Sequence, residues 1–355
     1  MTGLEVGSKT LEFRPNRGPG DLLGRNIEIR AASAAASSLL IFQAVFPFLL
    51  FAGNEDNEPI ELTISGGTNV SFSLSYEYLD HVLLPTLDRM FGIHVERKLH
   101  ARGWSSGPAS RGSVWFKIQP LVPESKLKLT DTALGLETQP ADFEIKSVLV
   151  TVITPTDLHE ELETALLDDL GRLFQGVDVN FQRHEDSKHE ARIYVLLVAK
   201  SATLRWGRDC LYSGRRKSKT KKELSEEISD KVTKELYDEV RAGGVVDEHL
   251  QDQLVIFQAL AEGKTSFPRS RSVYHGLTDN QASQDIEEGL AKLSITEQLK
   301  RDNARGPFGD PETDSRHTQT ARWVTAKLLG SKVSWYNEGR VCEGSGLRAG
   351  VQILS

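Results

Sequence analysis

LTISGGTNVSFSLSYEYLDHVLLPTLDRM (Leu62–Met90) changes its periodicity partway along. Ile60 to Ile64 reads as an extended run that stops at Gly66-Gly67, since glycine accepts the backbone angles of a tight turn. From Tyr76 to Met90 the apolar residues Leu79, Val82, Leu83 and Leu87 fall near helical spacing, and Gly92 closes the helix before a strand expected at Ile93 to Leu99. The order strand, turn, helix, strand predicts an α/β unit rather than a helical bundle.

Upstream lies the most apolar stretch of the chain, SSLLIFQAVFPFLLFAG (Ser37–Gly53). Gln43 and Pro47 interrupt it, and it falls short of the roughly 20 clean apolar residues that a membrane span needs, so it reads as a buried helix. Short extended runs at Leu11 to Phe13 and Ile60 to Ile64 flank it as strands. Downstream, Val114 to Ile118 alternates like a strand, and Pro120 to Pro140 is a loop-rich connection.

A second strand and helix pattern follows. Glu144 to Ile153 predicts a buried strand, Pro155 opens a helix that reaches Phe174, and Val177 to Phe181, Ala191 to Val198 and Leu204 to Tyr212 predict further strands. The basic run GRRKSKTKK (Gly214–Lys222) stands before a helix from Lys222 to Ala242. Its Arg215, Arg216 and Lys217 read either as a solvated loop or as a contact to an RNA backbone. The last part starts at Val245 and carries a helix from Glu248 to Ala261. A polar stretch from Pro268 to Asp314 follows, then a helix from Thr318 to Leu329 and a strand pair around Lys332 to Cys342. The expected fold class is α/β (α+β), divided as 1–141, 142–242 and 243–355, with a long polar insertion at about 268–314.

Composition limits the function classes. Of 355 residues, 39% are hydrophobic and 26% charged, which suits a folded chain. The net charge of −7 means that any nucleic-acid contact must be a local basic site. Cys210 and Cys342 have neither zinc nor redox spacing, so a reducing compartment is expected. The opening MTGLEVGSKTLEFRPNRG lacks the apolar core of a secretory signal.

Four segments taken together resemble the RNA 3'-terminal phosphate cyclase family: LEFRP (Leu11–Pro15), FPFLLFAG with the Leu62–Met90 stretch, VVDEHLQDQL (Val245–Leu254) and SRHTQTARWV (Ser315–Val324). The resemblance implies a core of repeated β-α-β-α-β units with a small α/β domain inserted before the last repeat, which 142–242 fits. It also implies use of ATP and Mg2+ to turn an RNA 3'-phosphate into a 2',3'-cyclic phosphate through a histidine–AMP intermediate. His317 matches that histidine by position. Asp252, Gln253 and His249 match the adenylate contacts, and Gly67, Thr68 and Ser73 fall near the nucleotide pocket. Arg102 and Arg111 stand as phosphate contacts, and no metal ligand is assigned.

A neutral imidazole is nucleophilic near pH 7, which suits the task. A histidine on a polar segment is otherwise an ordinary surface residue, so only the surrounding match singles out His317 among nine. The chain departs from the family pattern at its opening, where the expected glycine-rich phosphate-binding run is not seen. It departs again at Ala31 to Ser37, Ser71 to Ser75 and Trp104 to Gly112. Those departures keep open a second expectation, a non-catalytic factor in pre-rRNA processing and ribosome biogenesis. Either expectation places the chain inside the cell, in the nucleus or nucleolus ahead of the cytoplasm, with RNA 3' ends or pre-rRNA as partner and no membrane.

Overall fold

The computed structural model describes residues 18–130, 140–214, 219–267 and 314–350, with scattered positions among 3–14 and at 269, 299–302 and 308–309. Among the described residues two mixed sheets, a small antiparallel one and the helices that cover them make an α/β fold, as the sequence predicts.

The first sheet has the order β1-β2-β4-β3, built from β1 (Asn26–Arg30), β2 (Ile60–Gly66), β3 (Val95–Ala101) and β4 (Gly112–Ile118). β1 and β2 run parallel, joined by helix α1 (Ser38–Leu50), whereas β4 is antiparallel to both β2 and β3. Ser37 caps α1 by accepting from the backbone of Leu39 and Leu40. Leu39, Phe42 and Phe46 of α1 meet Ile60, Leu62, Ile64 and Phe116 of the sheet in one core, and the Phe42 and Phe116 rings stack at 4.2 Å. Each such side chain contributes about 1.5–3 kcal/mol by leaving water.

The strand that precedes α1 is therefore Asn26–Arg30, where the sequence reading placed Leu11 to Phe13. NIEIR holds only two apolar residues and is half exposed at the sheet edge, so its pattern is faint. Leu11 and Phe13 lie outside the described residues.

After β2 comes a helical stretch, α2, composed of Tyr76–Tyr78, a π-helical turn at Leu79–Leu83, and Leu84–Phe91. Gly92 ends it at φ 65°, a left-handed cap that favours glycine. The π turn was not foreseen, because one inserted residue leaves the apolar spacing almost unchanged.

The span 142–242 holds a second sheet of order β6-β5-β7-β8, from β5 (Ser147–Thr154), β6 (Asp178–Asp186), β7 (Tyr194–Lys200) and β8 (Arg205–Leu211). Helix α3 (His159–Leu173) joins the parallel pair β5 and β6, and α4 (Lys221–Arg241) packs against α3. Thr220 and Glu223 form the capping box of α4.

Alternation along β8 decides how this sheet meets the first. Trp206 and Arg208 turn one way, Trp206 donating to Gly244 O and Arg208 pairing with Glu239 of α4. Gly207 and Asp209 turn toward α2. A Cβ on Gly207 would sit 2.8 Å from both the Tyr78 ring and Val82. Gly207→Ala should therefore cost about 1–3 kcal/mol through overpacking, read as a lowered thermal midpoint; an unchanged midpoint would show that α2 yields at no cost.

The last layer comprises α5 (Glu248–Leu260), β9 (Lys264–Ser266), α6 (Arg316–Leu329), β10 (Ser334–Tyr336) and β11 (Val341–Glu343). The three strands form an antiparallel sheet of order β10-β11-β9, and α5 packs on both α6 and α1. β9 is three residues long and went unread. Most of the polar stretch at 268–314 lies outside the described residues.

Candidate functional site

Four helices begin around one cleft of about 660 Å³. α1 presents Leu40 and Gln43, α2 presents Tyr78 and the preceding loop Phe72-Ser73-Leu74, α5 presents Glu248, His249, Asp252 and Gln253, and α6 presents Arg316 and His317. Arg316 and the two imidazoles bring cationic or neutral nitrogen donors to a space that also holds the carboxylates of Asp209, Glu248 and Asp252, so both charges of a bound substrate can be met there.

Caps fix these starts. Asp247, fully buried, caps α5 by accepting from His249 N at 3.0 Å and Leu250 N at 2.9 Å. Its carboxylate also accepts from Tyr78 Oη at 2.5 Å and Gly207 N at 2.8 Å. One side chain thus locks α5, α2 and β8 together. Ser315 caps α6 through Thr318 N at 3.1 Å. Ser37 Oγ lies 2.5 Å from Ser73 Oγ, which ties the Phe72 loop to the start of α1.

His317 stands at the mouth, 88% exposed, with Nδ1 3.8 Å from Asp252 Oδ2. That gap exceeds a direct hydrogen bond and leaves a charge contact between the two groups. With Nδ1 nearest the carboxylate, Nε2 is the nitrogen left for an outside partner. Burial raises the Asp252 carboxyl above the ordinary aspartate value, against the opposing pull of Gln253 and of the two histidines. Gln253 donates to Asp252 Oδ1 at 2.8 Å and accepts from Gln43. A chain of amides thus links α1 to the carboxylate beside His317.

Of the residues expected from sequence, His317, His249, Asp252, Gln253 and Ser73 line the cleft together. Gly67 and Thr68 do not line it. The Gly67 carbonyl accepts from Ser38 N and Ser38 Oγ, and a Cβ there would lie 2.3 Å from Val70. Thr68 is fully buried, its hydroxyl donating to Asn69 and accepting from Gly103 N. This turn is a junction of backbone against backbone, which is why it needs glycine.

Arg102 is spent on Glu77 and, bidentately, on Glu185, while Arg111 donates to the carbonyl of Ala31. Neither lines the cleft; the guanidinium of Arg102 is engaged at all three nitrogens, whereas that of Arg111 is engaged at Nη1. Arg215, Arg216 and Lys217 lie outside the described residues.

Sequence reasoning passed over Asp209, Arg316, Leu40, Gln43 and Phe72, all of which line the cleft. Arg316 sits beside His317 in the quoted motif and was within reach. Asp209 gave no signal, being one polar residue in a strand. Among the described residues no group of three His, Cys, Asp or Glu side chains is placed to hold a metal ion, and no helix is long and apolar enough to cross a membrane.

The fold and the cleft define an α/β protein with an exposed histidine beside a half-buried carboxylate. The family model for RNA 3'-terminal phosphate cyclase matches residues 1–287. The chain is 28% identical over 287 residues to the RNA 3'-terminal phosphate cyclase of Drosophila melanogaster, covering 78% of this chain and 71% of the relative. It is 28% identical over 264 residues to that of Pyrococcus furiosus, covering 74% and 69%, and 28% over 316 residues to that of Methanosarcina mazei, covering 83% and 82%. The chain belongs to the RNA 3'-terminal phosphate cyclase family and is a cyclase-like protein. The family match ends before α6, so the place of His317 rests on the geometry of the cleft.

Proposed function

We propose that the cleft binds ATP and an RNA 3'-phosphate end, and that His317 carries AMP between them. The convergence of His317, Asp252 and early turns of four helices on one space carries this reading. Nε2 of His317 attacks the α-phosphorus of ATP; an N–P bond forms, the bond to the β-phosphate oxygen breaks, and pyrophosphate leaves. The RNA 3'-phosphate then displaces His317 from that phosphorus. Finally the vicinal 2'-oxygen attacks the 3'-phosphorus, closing the cyclic phosphate and releasing AMP.

Asp252 orients the imidazole, and Arg316 balances triphosphate charge. Mg2+, entering with the nucleotide, supplies further neutralisation; no protein ligand is assigned to it. Labelling with ATP and loss of label in His317→Ala test the reading. Absence of label in a folded chain favours the non-catalytic alternative, a pre-rRNA processing factor.

Phe72 supports a nucleobase contact. It is fully exposed and holds φ at +58°, a left-handed backbone that costs a large side chain about 1–3 kcal/mol. Leu40, half exposed, lines the same cleft. Phe72→Gly should raise the thermal midpoint by relieving the backbone, yet weaken ATP binding by roughly 1–3 kcal/mol through lost stacking, as read by calorimetric titration. Unchanged affinity would remove Phe72 from the site.

A further inference from the structure

Three carboxylates line the cleft, and their surroundings separate them. Glu248 is almost half exposed and pairs with Arg208 at 3.3 Å. Asp252 is occupied by Gln253 and faces His317. Asp209 comes from β8 of the second sheet, and the steps above do not use it. It is held by a hydroxyl, Tyr194 Oη donating to Oδ2 at 3.1 Å, with Ser75 Oγ 2.6 Å from the same tyrosine oxygen.

We propose that Asp209 is the general base of ring closure, taking the proton from the ribose 2'-hydroxyl as its oxygen attacks the 3'-phosphorus. In that step the 2'-O–P bond forms, the P–O bond to AMP breaks, the electron pair leaves with AMP, and the proton ends on Asp209. The inference rests on the cyclase reading of the cleft. It assigns the two proton and group transfers to different elements, His317 with Asp252 on α6 and α5, and Asp209 on the second sheet.

A base needs an environment that raises its affinity for a proton. Burial raises the Asp209 carboxyl above the usual aspartate value, opposed by His249 of α5, Tyr194 of β7, the neighbouring Arg208 and Ser75 at the start of α2. The Arg208 guanidinium is engaged by Glu239 and Glu248, and among the described residues no arginine bonds to the Asp209 carboxylate itself. A carboxylate of raised pKa transfers protons more effectively near neutrality. Closure should therefore fail as the pH drops through that raised value, when Asp209 is already protonated.

The test is a single-turnover reaction of the full chain with ATP, Mg2+ and a short RNA bearing a 3'-phosphate, resolved into RNA–adenylate and cyclic product. Asp209→Asn keeps the shape and an acceptor for Tyr194. It should label His317 yet accumulate RNA–adenylate, with closure slowed about 10²–10⁴-fold and its acid limb gone. Tyr194→Phe removes a bond that favours the ionised form and should move the acid limb to higher pH. Closure at the wild-type rate in a labelled Asp209→Asn chain would overturn the assignment and leave the cyclase reading standing. A folded Asp209→Asn chain that takes no label would also overturn it, by placing Asp209 in the first step. If the wild-type chain takes no label, the cyclase reading itself fails and the inference goes with it.

Discussion

Incubated with ATP labelled at the α-phosphate and with Mg2+, the chain should acquire an acid-labile, alkali-stable adduct, and His317→Ala should abolish it. The lability follows from a nitrogen–phosphorus bond, which acid cleaves by protonating the nitrogen. The expected effect is complete because no second nitrogen has the same placement. His249 lies in the same cleft and is exposed too, but among the described residues it is His317, not His249, whose ring nitrogen pairs with the Asp252 carboxylate. Stability should hold in the variant, since an 88% exposed ring contributes little to packing and such surface changes usually stay within about 0.5 kcal/mol. Label that survives His317→Ala would reassign the nucleophile. Asp252→Asn should slow labelling without abolishing it, because the amide still orients the ring but cannot balance the charge that develops on it.

The largest stability effect is expected from Arg102→Ala. Its guanidinium, 9% exposed, joins Glu77 of α2, 2% exposed, to Glu185 of β6, and so fastens the two sheets. Removing the arginine leaves Glu77 buried and unpaired, a loss of about 3–5 kcal/mol. The pH dependence has a definite sign. Burial alone would raise the Glu185 carboxyl, but Arg102 and Arg183 outweigh it and lower its pKa. A depressed carboxyl contributes stability that is present above its unfolded value and lost as pH falls through the folded one. The wild-type chain should thus lose stability on acidification below about pH 4.3. In Arg102→Ala the share of that contribution that Arg102 supplies is gone while Arg183 keeps its own, so the gap between the two proteins should narrow in acid. Thermal melts at neutral and acid pH decide it. Equal midpoints at neutral pH, with weakened RNA binding, would return Arg102 to a phosphate-binding role.

Local signals read from the sequence were those with local causes. Gln43 and Pro47 cut the apolar run at a length that suits a core helix, Gly92 marked the end of α2, and alternation in Val114 to Ile118 marked β4. β1 escaped because an edge strand with one half-buried face carries two isoleucines and little else. The pairing of β2 with β4 instead of β3 was not legible either, since strand order depends on which faces the helices cover.

The site divides the same way. The chain by itself determined which residues are chemically apt: an imidazole at 317, a carboxylate and amide at 252 and 253, and glycines where backbones meet. Only the tertiary structure decided which of them share a space. It brought residues from Leu40 to His317 to one cleft by gathering early turns of four helices around it, added Asp209 from a strand with no motif, and drew Arg102 into an internal ion pair. An arginine reads alike in sequence whether it meets a phosphate or a glutamate. The burial of Glu77, set by the packing of α2 against two sheets, made the choice, because a carboxylate taken out of water holds the nearest cation.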